Sequence, residues 1–370
     1  MMQVATGFAT HSSASEALAY QAVSVAMQKA GLTIANSVLL FLTPEFARDP
    51  LPALRAAARA ASCTQIIGCS AAGILTEEDW VLDAPAAAAM VFGSGVSLEA
   101  RHDTPGDELL LTLAAPNAIH TEWLDKPGRR FGGVSGDAIG QGPFGVWQGG
   151  KVAQIGRCEV AVHGARGVVG VSQGVRPLSQ MPYAVTQSAG LDVQALGGQP
   201  ALNVLARALP LELRSDDAFP LHLIMAGITY GEHVTAIAEG RYRLAPVISV
   251  NPQDGSVTLS VRPSAGEQLF WAMRQPLAAE SDMRLTVERL HQELGGTPDF
   301  GLCFPCMGRG PYFYGGVDRD LQLVQQRFPG MPLIGFYGNG EIAPFNGSNQ
   351  LFQYAAVLGL FSTADAPGHV

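Results

Sequence analysis

Two stretches of the chain echo one another in outline, and that echo constrains the fold more than any single segment. VLLFLTPEF, a helical pattern, IIGCSAAGIL and then AAAAMVFGS run in the same order as GLCFPCMGRG, a helical pattern, LIGFYGNGEI and then LFQYAAVLGLF. In each passage an Ile-Gly pair closing an apolar run leads into a turn of small residues, with Gly73 or Gly340 five residues after Gly68 or Gly335. A buried strand that ends in small residues lets backbone N–H groups approach a bound group closely, because no Cβ intervenes. The order predicts two pseudo-related halves with a ligand pocket between them.

Around this echo, 43 glycines and 24 prolines cut the apolar material into short pieces joined by tight turns, the texture of many strands and few helices. SASEALAYQAVSVAMQKAG reads as a helix, with Ser13 and Glu16 as a capping box and Gly31 as its stop. DPLPALRAAARAA reads as a second helix opened by Asp49, with Pro50 at its first position. SVLLFLTPEF and TQIIGCSAAGIL read as buried strands, and APAAAAMVFG and VSLEARHD as a following pair. Beyond residue 130, β-prone runs alternate with glycine turns as in an antiparallel meander. APVISVNPQDGSVTLSV reads as a hairpin over an Asp-Gly turn, and Ala265 to Leu294 as a long helical region. The fold class is α+β: a layered α/β sandwich with mixed, largely antiparallel sheets and two pseudo-related halves. LPLELRSDDAFP marks the domain boundary, giving domains 1–218 and 219–370.

Composition narrows the function. With 370 residues, 47% apolar and 15% charged, the chain buries a large core. Its net charge of -9 and the absence of any basic cluster argue against nucleic acid as a partner. No apolar run reaches the roughly 18 residues of a membrane span, and the start lacks a secretory pattern, so no membrane insertion and a cytoplasmic location are expected. Five cysteines, an odd number, point to reduced thiols.

IIGCSAAGIL, FGGVSGD, FPCMGRG and LIGFYGNGEIAP, in this order, resemble the FIST domain, a bacterial sensory domain with N- and C-terminal parts. The resemblance spans about residues 10 to 362, although NGSNQLFQYAAV stands where a His-Asn-containing stretch is common in the family. It implies a signal-input module that binds a small ligand, such as an amino acid. It also implies a partner for output: a histidine kinase, a cyclic-dinucleotide enzyme or a chemotaxis receptor. Some relatives are haem proteins that sense nitric oxide.

The candidate ligand-binding residues are Arg309, Glu341, Gly340, Cys69, Ser70, Asp137, Cys306 and Tyr337. Arg309, between two glycines, presents a planar fork suited to a carboxylate. Either a protein carboxylate occupies that fork, with Glu341 the obvious candidate because the resemblance puts both turns in one half, or a ligand does. An Arg and a Glu together would complement both charges of an amino acid. Asp137 reads as a second acceptor or as an Asx-turn residue. Cys69 and Ser70 offer small side chains and backbone donors, and Tyr337 walls a pocket or fills the core. Cys303 and Cys306 lack the partner pair of a zinc site and a helix start for redox chemistry, and no histidine stands in a recognisable Cys-His signature. The expectation is therefore a non-enzymatic sensor with no metal and no cofactor. The alternatives are a haem protein using His163 or His222, and a hydrolase using Cys69 or Cys306.

Overall fold

The computed structural model describes residues 4–93, 95–100, 108–214 and 219–363. Residues 101–103 of the VSLEARHD reading and 215–218 of the boundary reading lie outside the described residues. The chain forms two compact units, one of Met1–Ser172 with Met283–Val370, the other Gln173–Asp282. Its mixed and antiparallel sheets make it α+β.

The first unit contains the echo in three dimensions. In one sheet the strands lie in the order Val4–Thr10, Ala86–Phe92, Ser37–Leu42, Ile66–Ser70. In another the order is Arg166–Ser172, Ala356–Ser362, Phe300–Pro305, Leu333–Tyr337, with the same directions throughout. Helices Glu16–Ala30 and Leu51–Ala61 serve the first set, Pro276–Leu294 and Arg319–Arg327 the second. The Ile-Gly glycines now have a physical reason. A Cβ on Gly68 would sit 1.7 Å from the Leu40 carbonyl oxygen, and one on Gly335 1.6 Å from that of Cys303. Each glycine is where a parallel partner strand comes too close for any side chain.

Strand alternation assigns the layers. Leu39, Phe41, Ile67, Phe300, Phe304, Ile334 and Phe336 point into a shared core between the two sheets. Val38, Leu40 and Ile66 face the first helix pair, while Cys303, Leu333 and Tyr337 face the second with Met283, Leu290 and Leu321. Burial on both faces explains why these strands read as unbroken apolar runs. The third sheet of this unit carries Arg129–Val134 between Leu109–Ala114 and Glu341–Phe345.

The second unit enters the chain directly after Ser172, the end of the second repeat's first strand. Gln268–Arg274 pairs on one side with Tyr183–Ala189 and on the other with Ile224–Thr229, so its antiparallel sheet closes on itself and shields its edges. Val185, Val193, Ala245, Leu259 and Trp271 fill its core with Leu205 of helix Ala201–Ala208.

Several local expectations change. Gly31 ends the first helix in a left-handed conformation, as read, but the N-cap is Ser15 rather than Ser13 and its hydroxyl makes no capping bond. The second helix is capped at Pro50 rather than Asp49. Residues 268–274, read as helix, form the strand that closes the second unit's sheet, where QLFWAMR gains more by pairing on both edges than by joining the helix after it.

Candidate functional site

The carboxyl ends of the two parallel strand pairs lead to one place. Cys306 bridges to Gly338, and Met307 N–H donates to the Gly338 carbonyl at 2.9 Å. Val134 N–H donates to Gly340 O at 2.8 Å and Asn339 N–H to Val134 O at 3.0 Å. Ser135 Oγ donates to Ser70 O at 2.6 Å, and Gly73 pairs with Tyr337. The four motifs of the sequence are therefore neighbours. Glycine permits the approach: a Cβ on Gly136 would meet Asn339 Cγ at 2.7 Å, and one on Gly338 would meet Val134 O at 2.6 Å.

Arg309 lies in a 3-10 turn and is 1% exposed. Its Nε and Nη2 donate to Asp320 at 2.8 and 3.0 Å, and Nη1 and Nη2 donate to Ser172 O and Oγ, both at 2.7 Å. The carboxylate that takes the fork is Asp320, not Glu341. The reason is local: Asp318 caps the next helix by accepting from Leu321 N–H at 2.9 Å, which sets Asp320 in the first turn beside the guanidinium. Tyr314 donates to Asp320 at 2.9 Å, and Tyr337 donates its hydroxyl proton to Asp318. Burial, then the adjacent Asp320 charge, lifts the Asp318 carboxyl to about 6.

Glu341 is fully buried in the same region. Its Oε2 accepts from Ala355 N–H at 3.2 Å, while Oε1 has no hydrogen-bond partner among the described residues. Burial pushes its carboxyl well above the ordinary range, against the opposing pull of Ala355 N–H, Cys306 and the Arg309 charge. That direction favours the protonated, uncharged form of the carboxyl. The Cys306 thiol is pushed up by burial and by Glu341. Tyr354, next to the Ala355 donor, has a φ of 60°. A bulky side chain in the left-handed region costs about 1–2 kcal/mol, and this strain sits beside the unsatisfied carboxyl. The chain neighbours Met307, Gly308, Asn339 and Tyr354 are half-buried.

The first repeat's turn is quieter. Ser70 Oγ accepts from Gly145 N–H at 2.9 Å and lies 3.2 Å from Ser135 Oγ. Cys69 points into the inter-sheet core, and burial holds its thiol well above its usual value. Asp137 accepts from the N–H groups of Ile139, Gly140, Gln141 and Gly142, the loop-closing role. His163 is half-buried beside Glu99 at 3.8 Å and Glu108 at 4.0 Å, and His222 is exposed on a 3-10 turn rather than in a strand. Sequence reasoning missed Asp318, Asp320, Tyr314 and Tyr354. Asp318 alone had a signal, as a capping residue before LQLVQQR.

The first unit is thus a duplicated α+β sandwich whose paired carboxyl ends gather one buried polar cluster. The particular family follows from comparison. The FIST N domain matches residues 36–199 and the FIST C domain residues 201–344, so the chain belongs to the FIST family. An uncharacterised protein of Mycobacterium tuberculosis is 30% identical over 386 aligned residues, covering 97% of this chain and 100% of the relative. An uncharacterised protein of Mycobacterium bovis is 31% identical over 319 residues, 80% of this chain and 82% of the relative. FIST domains are associated with sensory or signalling roles rather than catalysis. Among the described residues no helix is long and apolar enough to cross a membrane.

Proposed function

We propose that this chain is a non-enzymatic sensor that receives a small ligand, an amino acid or another small molecule with a charged head group, at Glu341 and Cys306. It passes the change to a separate signalling protein such as a histidine kinase, a cyclic-dinucleotide enzyme or a chemotaxis receptor. One observation carries the reading: a fully buried carboxyl with one oxygen unsatisfied, beside a strained Tyr354, at the carboxyl ends of two strand pairs. Buried polar groups are normally paired, and an unpaired one marks a place where something else binds. A ligand ammonium would favour the ionised form of Glu341, so binding would release a proton. Arg309, committed to Asp320 and Ser172, acts behind Glu341 as a fixed charge. Raised thiols at Cys69 and Cys306 speak for sensing over thiol chemistry, since the thiolate is the nucleophile.

The test is a thermal-shift screen with amino acids, small amines and small carboxylates between pH 6 and 8. A ligand at 100 times its Kd adds about 2.7 kcal/mol of stability. Amine-bearing hits are expected to grow with pH and to disappear in Glu341→Gln. A hit that persists undiminished in that variant would sink this reading of the site.

A further inference from the structure

We infer that the cleft between residues 124–129 and the hairpin tip at 344–349 is a second binding site, for a small organic anion with an apolar body. Its volume is about 490 Å3, inside the ~300–1,000 Å3 typical of small-molecule sites. None of the residues discussed above as candidates lines it. It lies at the far end of the strand pair that carries Glu341, because Glu341 pairs with Gly133 while Phe345 and Arg129 stand at the opposite termini.

Both walls are held in place. Asn349 Nδ2 donates to Leu124 O at 2.8 Å and Gly128 O at 2.9 Å, and its Oδ1 accepts from Arg130 N–H at 2.7 Å. Arg130, fully buried, donates to Lys126 O at 2.6 Å and to Glu159 at 2.5 Å. These bonds tie the carbonyls of the 124–128 loop to the protein and to the hairpin. The hairpin tip turns through Asn346 at φ 49° and Gly347 at φ 81°, the two-residue turn that fits strand twist. A cleft whose walls are fixed beforehand loses little order on binding.

The lining then states the ligand. Lys126 and Arg129 both line the cleft, and neither has an ion-pair partner among the described residues. Among the described residues Asp125 is the single carboxylate on the wall, so the described lining carries net positive charge on a chain of net charge -9. Arg130 next door is already spent on Glu159, which shows the difference between a structural cation and an available one. Val169, Pro344 and Phe345 supply an apolar surface. An unpaired guanidinium and an ammonium over such a surface fit a carboxylate or phosphate attached to a ring or short chain.

Calorimetric titration of the full chain at low salt with phenyl phosphate, benzoate and neutral benzamide tests this. Phenyl phosphate and benzoate are expected to bind with a Kd of about 1 mM or tighter, phenyl phosphate the tighter, and benzamide at least about tenfold more weakly. Raising the salt to about 0.5 M should weaken both anions by screening. A Lys126→Ala and Arg129→Ala double variant should lose about tenfold or more while keeping the wild-type melting temperature, and Asp125→Asn should gain. Equal binding of benzamide, equal binding by the double variant, or no binding of either anion at about 10 mM overturns the assignment. Glu341→Gln should leave this titration unchanged, so the two sites stand or fall separately; loss of binding in that variant removes the anion from this cleft.

Discussion

The two repeats of the first unit share a scaffold and differ in what they place on it. With Gly68 matched to Gly335, Leu40 falls on Cys303, and the 3-10 turn Pro44–Phe46 falls on the 3-10 turn Met307–Arg309. Phe46, packed under the first helices, stands where the second repeat has Arg309. Ile74, in the inter-sheet core, stands where it has Glu341. The first repeat therefore shows that this fold needs no charge at either position. Buried ion pairs are weak grounds for stability because desolvation offsets their attraction. On the proposed function, the charges of the second repeat serve the ligand rather than the scaffold.

The comparison breaks most severely at the glycines the repeats share. Gly68→Ala and Gly335→Ala each drive a Cβ into a backbone carbonyl at 1.7 and 1.6 Å. A loss above about 4 kcal/mol, or failure to fold, is expected for both in urea denaturation. Tolerance of either would mean that the parallel pair in that repeat is not registered as described.

Next comes the pair that only the second repeat contains. Asp320→Ala takes the carboxylate away from a buried Arg309 that still donates to Ser172, at an expected cost of about 3–5 kcal/mol in the same measurement. Replacing both partners with apolar residues, Arg309→Met with Asp320→Leu, should recover most of that loss. A double variant as unstable as the single one would show that the charges are structural after all, against the lesson of Phe46.

How much of this was readable beforehand follows from sequence separation. The echo, Gly31 as a helix stop and the convergence of glycine turns rest on local patterns, and a glycine forced by a near carbonyl leaves its mark in the sequence. The partners of Arg309 did not: Asp320 is 11 residues away and Ser172 is 137 away, so only the folded chain brings them together. The strand at 268–274 was hidden because its β pairing comes from segments at 183–184 and 224–228. Tyr354 carries its strain in a backbone angle that residue identity disguises, since tyrosine is not a residue expected there.

The finest separation between the repeats is in pH. Native Glu341 keeps its proton well above the ordinary carboxylate value of 4.5, whereas the unfolded chain releases it there. The unfolded state then binds fewer protons, so wild-type stability falls as pH rises, by about 1.4 kcal/mol per unit until the native carboxyl ionises. Asp318 slopes the same way only up to about 6, so the measurement belongs between pH 6 and 8. Over that window Glu341→Gln should lose the slope and become the more stable protein, the gap widening with pH. Ser70→Ala, which strips the Gly145 N–H of its bond at the quiet end, should cost about 1–2 kcal/mol at every pH. Parallel curves for wild type and Glu341→Gln would mean that Glu341 is ionised in the folded protein. A charged Glu341 would then be balanced by Arg309, and the two repeats would differ by an internal ion network instead of by a buried uncharged acid.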